Sequence, residues 1–516
     1  MDALSNSYIP ACFMLFICFL SIALFLKKTS QAIDYWLFLG SFPSVVMNSN
    51  RIPDWFTEVF TSLGRGSFFV DGPIFSNLKY FVTCHHQNIE YILKTNFNNF
   101  PKGPDFKQVF SPLGDGIFNA DSESWRVQRR MAHTAFISAE FKNLISNISR
   151  QVVEDQLVPL LVHVAKTGST IDLQEVCSRF AFDVNMNAIF GLHGNYLSTE
   201  LPSNDLAEAI GDVQEAVFFR HTMPMFVWKL MRLFRIGRER ELLKAVKTID
   251  AHFYEHISQK QKHLIQGVKT FDLLSSYINE ELNRTKIPSL PPKNDDEFLR
   301  DSMLSLFVAG KDTIASGLIW FFWLVSKTPS VEKKISEELA VLLSSKMGQL
   351  SEYHEWPWVF HSDDTNGLVY LHAALCESLR LYPPVPINSK TVLNEVVLPD
   401  GRLIKPGTQV LIPFYSVGRM PWIWGEDCLE FKPERWMDGD GKLARHENAA
   451  KFFTFNIGPR TCLGKDMSFT QLKAVAAAVL LNFHVEVLEG QHVCPKPAIT
   501  LHMKKDLQVK IHKRVI

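Results

Sequence analysis

The chain has 516 residues, 46% of them hydrophobic, with 54 basic against 54 acidic side chains. Zero formal charge gives no reason to expect nucleic acid as a partner. Length alone is compatible with two to four domains and with a large core. Eight cysteines at 12, 18, 84, 177, 376, 428, 462 and 494 form no CxxC pair. That scatter argues against a disulfide framework or a zinc site and fits reduced, cytosolic thiols. The 40 phenylalanines suggest apolar interiors or an apolar cavity.

The first segment carries an address. Tyr8 to Leu26 is an uncharged run of 19 residues, preceded by Asp2 and followed by Lys27 and Lys28. A bilayer needs about 20 apolar residues. A cleaved signal would start positive and have a shorter apolar core. The basic flank after the run keeps the remaining chain cytosolic. Residues 1–28 are therefore expected to be a single-pass membrane anchor in contact with lipid. Residues 29–60 are expected to be a linker and membrane-proximal packing segment, and 61–516 one catalytic domain. The sequons at Asn147 and Asn283 then fall on the wrong side of the membrane for glycosylation.

Between 65 and 100, alternation in YFVTCHHQNIEYILKTN predicts strand then helix. Helical periods dominate from 120 to 340. PPKNDDEF predicts a helix start, with Asn294 as N-cap and Glu297 three residues on. The apolar pattern runs to Lys327, and Pro329 is expected to stop it. Such a helix, about 50 Å long at 1.5 Å per residue, has to cross the domain core. GLVYLHAALCESLRLYPP predicts another helix, ended by Pro383 and Pro384. Short strands and hairpins are expected over 385–415, around LPDGRLIKPG. The C-terminal stretch PAITLHMKKDLQVKIHK alternates like a strand pair. The expected class is mainly α with small β-sheets. Neither GxGxxG nor a P-loop frame is present, so no nucleotide site is indicated.

FNIGPRTCLG, Phe455 to Gly464, sets one cysteine between glycines and beside an arginine. LGKDMSFTQLKAVAAAVLLNF follows with helical spacing, so Cys462 falls at a helix N-terminus. Backbone N–H groups there favour a thiolate. Gly458 and Gly464 leave room for a bulky flat object, and Arg460 offers it a cation. An iron-bearing ring with acidic arms meets these requirements. Iron held by a cysteine thiolate in haem favours O–O cleavage. A buried structural cysteine explains the sulfur alone but not the five positions together. A cysteine hydrolase needs an oriented histidine, and only His484 and His492 are near in sequence. In the long helix, Gly310 costs about 1 kcal/mol relative to alanine and so needs a reason. Ala309 and Gly310 leave space beside Asp312 and Thr313, an acid and a hydroxyl able to pass protons. The plainer reading is an exposed Asp and a Thr bonded back to its own helix.

The stretch resembles the haem-binding signature of the cytochrome P450 family, FxxGxRxCxG, at Phe455, Gly458, Arg460, Cys462 and Gly464. AGKDT (309–313), ESLR (377–380), FKPERW (431–436) and WRVQR (125–129) extend the resemblance along the chain in the same order. It implies the P450 fold, haem b bound through Cys462, and Asp312 and Thr313 in proton delivery. It implies a buried ion network of Glu377, Arg380 and Arg435 supporting the cysteine loop, and Trp125 and Arg129 at a haem propionate. Electrons would come from NADPH through a separate NADPH-cytochrome P450 reductase, since the chain has no flavin site. Arg126, Arg130, Lys451 and Lys465 are plausible docking charges for it. The implied location is the endoplasmic reticulum membrane, with the catalytic domain cytosolic. Three departures stand out: Ile314 where many relatives have a hydroxyl, Trp436 for the usual Phe, and no proline near Leu37.

IWFFWLVSKTP, LRLYPPVPINSK and GRMPWIWGEDCLEFKPERW resemble a plant branch more closely. It contains fatty-acid ω-hydroxylases and midchain alkane hydroxylases, and also the phenol-coupling noroxomaritidine synthases of alkaloid metabolism. Two chemistries follow: oxygen insertion into an aliphatic C–H bond, favoured here, and oxidative coupling of a norbelladine-type phenol. A non-catalytic haem-binding membrane protein is a third reading, which the Asp312–Thr313 pair opposes. By analogy the pocket residues are Val109, Phe110, Phe118, Phe218, Phe219, Phe307, Val308, Ile387, Asn388, Ile499 and Thr500, mostly apolar, as an apolar small-molecule substrate requires. For each of them core packing is the plainer role.

Overall fold

The computed structural model describes residues 28–29, 33–36, 38–73, 76, 78–268, 270–282, 295–347, 356–444, 451–496 and 498–514. The expected anchor at 8–26, the expected N-cap Asn294 and Asn283 lie outside them. The elements that position the site are, in order, strands β1 (Ser67–Asp71) and β2 (Lys79–Thr83) and helix α1 (Ser122–Ile137). Next come β3 (Thr170–Asp172), α2 (Leu173–Phe190), α3 (Asp205–Thr222) and α4 (Gly237–Ile265). They are followed by α5 (Asp295–Lys327), α6 (Pro329–Met347), α7 (Val369–Leu381), β4 (Asn388–Thr391) and β5 (Gln409–Ile412). The last are α8 (Lys465–Asn482), β6 (Phe483–Val487) and β7 (Gln508–Lys513).

Helix α5 has 33 residues, as its sequence pattern predicts. It is long and apolar enough to cross a bilayer, yet 72% of its most apolar 18-residue window is buried within the protein. It is the core helix. Between Phe298 and Phe322 only Leu306, Val308, Ala309, Gly310 and Thr313 are less than fully buried. Leu306, Ala309, Gly310 and Thr313 follow i, i+3, i+4, i+7 spacing, so they share a face. Pro329 does not merely stop α5; it opens α6 at a position where a missing N–H costs nothing. Phe307 points away from the open face. It is fully buried, edge-on to Phe182 of α2 (5.4 Å) and Phe253 of α4 (6.0 Å), so it holds helices together and does not line a pocket.

Among the described residues, the two larger sheets flank the helices. One has the order β1–β2–β5–β4. Its β2 and β5 run parallel, with Phe81 opposite Val410, and β4 is antiparallel to β5, with Asn388 opposite Ile412. The hairpin expected at LPDGRLIKPG forms between Val396–Val397 and Leu403–Ile404. The other sheet has the order β6–β7–β3. Only Gln508–Lys513 of the expected C-terminal strand pair is a strand, and its neighbours are β6 and β3. The packing segment expected before residue 60 is the helix Ile52–Leu63, which buries Trp55, Phe56, Val59 and Phe60.

Burial also shapes the response to acid. His221, His372 and His502 are each pushed down to about 4 by removal from water. A histidine whose folded pKa lies below its unfolded value of about 6.5 favours the folded state above that value. The contribution is lost as pH falls through the folded pKa. Equilibrium unfolding is therefore expected to become easier between pH 6.5 and about 4. A midpoint that does not move over this window would show that these rings are hydrated.

Candidate active site

The cysteine loop is built by backbone bonds within itself. The Cys462 N–H donates to the Phe455 carbonyl (2.8 Å), and Thr461 N–H donates to Gly458 O (3.0 Å). Asn456 takes a left-handed φ of 60° and its Nδ2 donates to Arg460 O at 3.2 Å. Gly464 caps α8, so Cys462 lies just before the helix start, as its sequence implies. The glycines act differently. A Cβ on Gly464 would meet only Phe136, at 3.8 Å, so that side is open. A Cβ on Gly458, at φ +69°, would lie 2.2 Å from the Leu93 carbonyl oxygen. Gly458 therefore lets the loop press on the Tyr91–Thr95 segment rather than clearing space for a ligand.

Cys462 is exposed, whereas Cys84, Cys177, Cys376 and Cys428 are buried. Its opening is to one side, and protein surrounds the rest. Desolvation pushes its thiol up, against the lowering pull of the Gly464 backbone N–H, Arg129 and Lys465. The helix start alone does not make a thiolate here, contrary to the sequence expectation; a metal ion would supply the missing stabilisation. A hydrolytic cysteine–histidine pair is not assembled with His484. It sits in β6, beyond the far end of the 18-residue α8, and its Nδ1 is 2.9 Å from Glu332.

The ion network forms as the resemblance implies. Arg380 donates to both Glu377 oxygens at 2.7 Å, and Arg435 Nε reaches Glu377 at 3.3 Å. Arg380 also donates to the Cys428 carbonyl (2.7 Å), and Arg435 to that of Trp424 (2.8 Å). The unexpected Trp436 has a role: its indole N–H donates to Glu377 at 2.8 Å. Its ring continues through Phe452 (4.9 Å) to Phe455 (5.9 Å from Phe452). The network is thus packed against the cysteine loop.

A second group of charges gathers beside that loop. Arg460 donates to Asp121 and to the Ala120 carbonyl, both at 2.7 Å, and lies 4.7 Å over the Trp125 ring. Its Nε is buried without a partner. Arg129 donates to the Thr461 carbonyl at 2.5 Å. Sequence reasoning missed Lys102 and Lys390. Lys390 follows Asn388 at strand spacing and faces the same interior side of β4. It is fully buried, and its Nζ has no hydrogen-bond partner. Burial pushes its pKa well down, and Lys102 and Arg460 push it further. Lys102 is lowered to about 7, by burial first and Arg460 second. Four basic groups, Lys102, Arg129, Lys390 and Arg460, thus gather at one carboxylate, Asp121. A buried ammonium without a counter-ion is costly, so the group calls for an anion. The two carboxylates of haem b, with the open sulfur of Cys462 nearby, match that demand.

The structure separates the acid from the hydroxyl. Thr313 is half-buried on the open face of α5 and donates to the Ala309 carbonyl at 2.7 Å, the plainer of its two expected bonds. Asp312 is buried, not exposed, and accepts from Lys311 Nζ at 2.9 Å and from Gln214 of α3. Gly310 has its own reason: a Cβ would lie 2.2 Å from Oδ1 of Asn185, on α2. Among the pocket candidates, Val109, Phe110, Phe218, Phe219, Val308, Ile387 and Ile499 are half-buried, and Phe118 is exposed. Phe110 stacks on Phe106 at 4.2 Å and meets His221 edge-on at 5.2 Å. Asn388 accepts from Lys102 Nζ at 3.3 Å, and Thr500 donates to Gln214 at 3.2 Å.

This arrangement has known counterparts. The family model "Cytochrome P450" matches residues 36–511. Alkane hydroxylase MAH1 of Arabidopsis thaliana is 38% identical over 510 residues, covering 98% of each chain. Cytochrome P450 86B1 of the same plant is 40% identical, over 96% of this chain and 89% of that one. Noroxomaritidine synthase 2 of Narcissus aff. pseudonarcissus MK-2014 is 34% identical, covering 99% and 98%. The crystal structure of the cytochrome P450DA haem domain superposes with a TM-score of 0.72 at 18% identity, over 90% of this chain and 93% of that one. The chain belongs to the cytochrome P450 family. It is an oxygen-dependent haem monooxygenase with the P450 fold.

Lys390→Met removes the unpaired buried amine without removing much volume. It is expected to speed haem loss to an excess of apomyoglobin by about tenfold, roughly 1.4 kcal/mol, while raising the unfolding midpoint of the haem-free chain. Unchanged haem loss would remove Lys390 from the haem site.

Proposed function

We propose that the protein hydroxylates a long aliphatic chain, an alkane or a fatty acid. The observation that carries this reading is what occupies Asn388 and Ile314, the two positions at which a pocket could be reshaped for a polar aromatic ring. Asn388 is taken by Lys102, and Ile314 is buried at 2% exposure, off the open face of α5. What remains near the open face is mostly hydrocarbon, and a hydrocarbon tail needs no polar partner. The 38% identity to a protein named alkane hydroxylase supports the same reading.

Cys462 would hold the haem iron, and Lys102, Arg129, Lys390 and Arg460 its carboxylates, with the Trp125 ring fixing Arg460. When bound, haem supplies the redox chemistry that activates dioxygen. The chain's own residues handle protons and exclude water. Thr313 offers its hydroxyl on the open face, and Asp312, one residue earlier, supplies protons from behind the helix. General acid–base groups contribute about 10²–10⁴-fold. Electrons would come from NADPH through a separate cytochrome P450 reductase. Arg126, Arg130 and Lys465 are exposed and Lys451 half-buried, which suits a docking face. Residues 1–28 would anchor the protein in the endoplasmic reticulum membrane, with the rest cytosolic.

Hexadecane, hexadecanoic acid and norbelladine, each added to the purified haem protein, test the substrate class. One of the aliphatic compounds is expected to shift the Soret band from low to high spin and, with reductase, to yield a product carrying one added oxygen. If only norbelladine shifts the band, and its product gains no oxygen, the protein is a phenol-coupling enzyme and the aliphatic reading is wrong. A haem protein that consumes no NADPH with any of them would be a carrier or sensor.

A further inference from the structure

We propose that His502 is the solvent-side entry for protons bound for Asp312. The inference rests on the monooxygenase reading and names the route that reading leaves open. Asp312 is 2% exposed and lies on the flank of α5, roughly 100° around the helix from Thr313 on the half-buried stripe. One and two turns on, Ser316 and Trp320 continue along that side of the helix, three and seven residues after Thr313. Both donate to the carbonyl of Leu501, at 2.9 and 2.6 Å. The segment 498–503 is thereby clamped onto the face that carries Asp312. It brings the next residue, His502, to that carboxylate: Nε2 is 3.9 Å from Oδ1. Proton transfer needs the pair to approach by about 1 Å, to hydrogen-bond distance.

His502 is suited to passing protons rather than storing them. Its side chain keeps 20% exposure while Asp312 keeps 3%, so the imidazole spans the wall between solvent and carboxylate. The charged groups facing it are Asp312 and Lys311 from α5 and Lys496, which precedes its segment. Glu215 of α3 pairs with Lys496 at 2.7 Å and so offsets that cation. Burial holds the ring neutral near pH 7, with a pKa of about 4. A neutral imidazole gives the proton on one nitrogen to an acceptor and takes one from water on the other. The bond from Nε2 to its proton breaks as the Asp312 O–H bond forms, while a hydronium ion on the solvent side passes its proton to Nδ1 and leaves as water, so ring charge is unchanged. Gln214 donates to Asp312 and accepts from Thr500 at 3.2 Å, which fixes the carboxylate between the two sides of the helix. His502 acts through Asp312 and does not touch the reacting atoms.

The test compares His502→Gln, which keeps a polar group but cannot exchange protons this way, with His502→Phe, Asp312→Asn and the double variant Asp312→Asn/His502→Phe. Two readouts are used. The first needs no turnover: the resting holoenzyme is treated with diethylpyrocarbonate, and modification of His502 is measured by peptide mass spectrometry. His502 is expected to be modified while the protein remains folded; a ring that stays unmodified has no contact with solvent and overturns the proposal. The second is the partition of NADPH electrons between hydroxylated hexadecane and peroxide. Gln and Phe variants are both expected to lose product per NADPH by about tenfold and to gain peroxide. The double variant should be no worse than Asp312→Asn. If His502→Gln partitions electrons as the wild type does, the ring serves packing or hydrogen bonding only, and the proposal fails while the monooxygenase reading stands. A wild type that oxidises no NADPH defeats that reading itself, and the route with it.

Discussion

The cysteine loop depends on one buried carboxylate. Glu377 accepts two bonds from Arg380, one from Arg435, one from the Trp436 indole and one from the Lys432 backbone N–H. No solvent reaches it. A buried ion pair is stable only when its lone pairs and protons are used, and losing one partner costs about 3–5 kcal/mol. Here the spare guanidinium donors go to carbonyls of the 418–430 segment, so irregular chain is fixed to α7 by charge-assisted bonds. The aromatic series from Trp436 to Phe455 carries that fixed geometry to Cys462. The sulfur is held open by a scaffold that contributes nothing to its chemistry directly.

Helix α5 divides the labour between its faces. The half-buried face, from Leu306 to Thr313, borders the space where substrate and haem would meet. The flank beside it carries Asp312, and the 498–503 segment closes that side through Ser316 and Trp320. The charge cluster around Lys390 follows the same economy: it is unbalanced in the chain alone and becomes balanced with a dicarboxylate ring. The cluster stores an unmet electrostatic demand where a partner is to be received.

Local patterns made much of this legible. The length of α5 followed from its apolar run, and α8 followed from the spacing after Cys462. The Glu377–Arg380 pair is one helical turn and says nothing by itself; only the resemblance gave it a role. What sequence left hidden depended on tertiary neighbours. Lys390 reads as an ordinary strand lysine until β4 is seen to bury it. Gly310 reads as clearance for a ligand until Asn185 is seen against it, and Gly458 until Leu93 is. Phe307 and Val308 are adjacent in sequence, but a step of roughly 100° around the helix makes one core and leaves the other half-buried. The raised Cys462 thiol shows the limit of reading a helix N-terminus alone: desolvation outweighs the nearby N–H and cations.

The direct test of the whole account is the carbon monoxide spectrum of the reduced haem protein. A cysteine thiolate opposite carbon monoxide gives a Soret band at about 450 nm, distinct from that of a histidine-held haem. The wild type is expected to show it, and Cys462→Ala to lose it even when haem is retained. A Cys462→Ala protein that keeps the band would place the iron elsewhere and contradict the account.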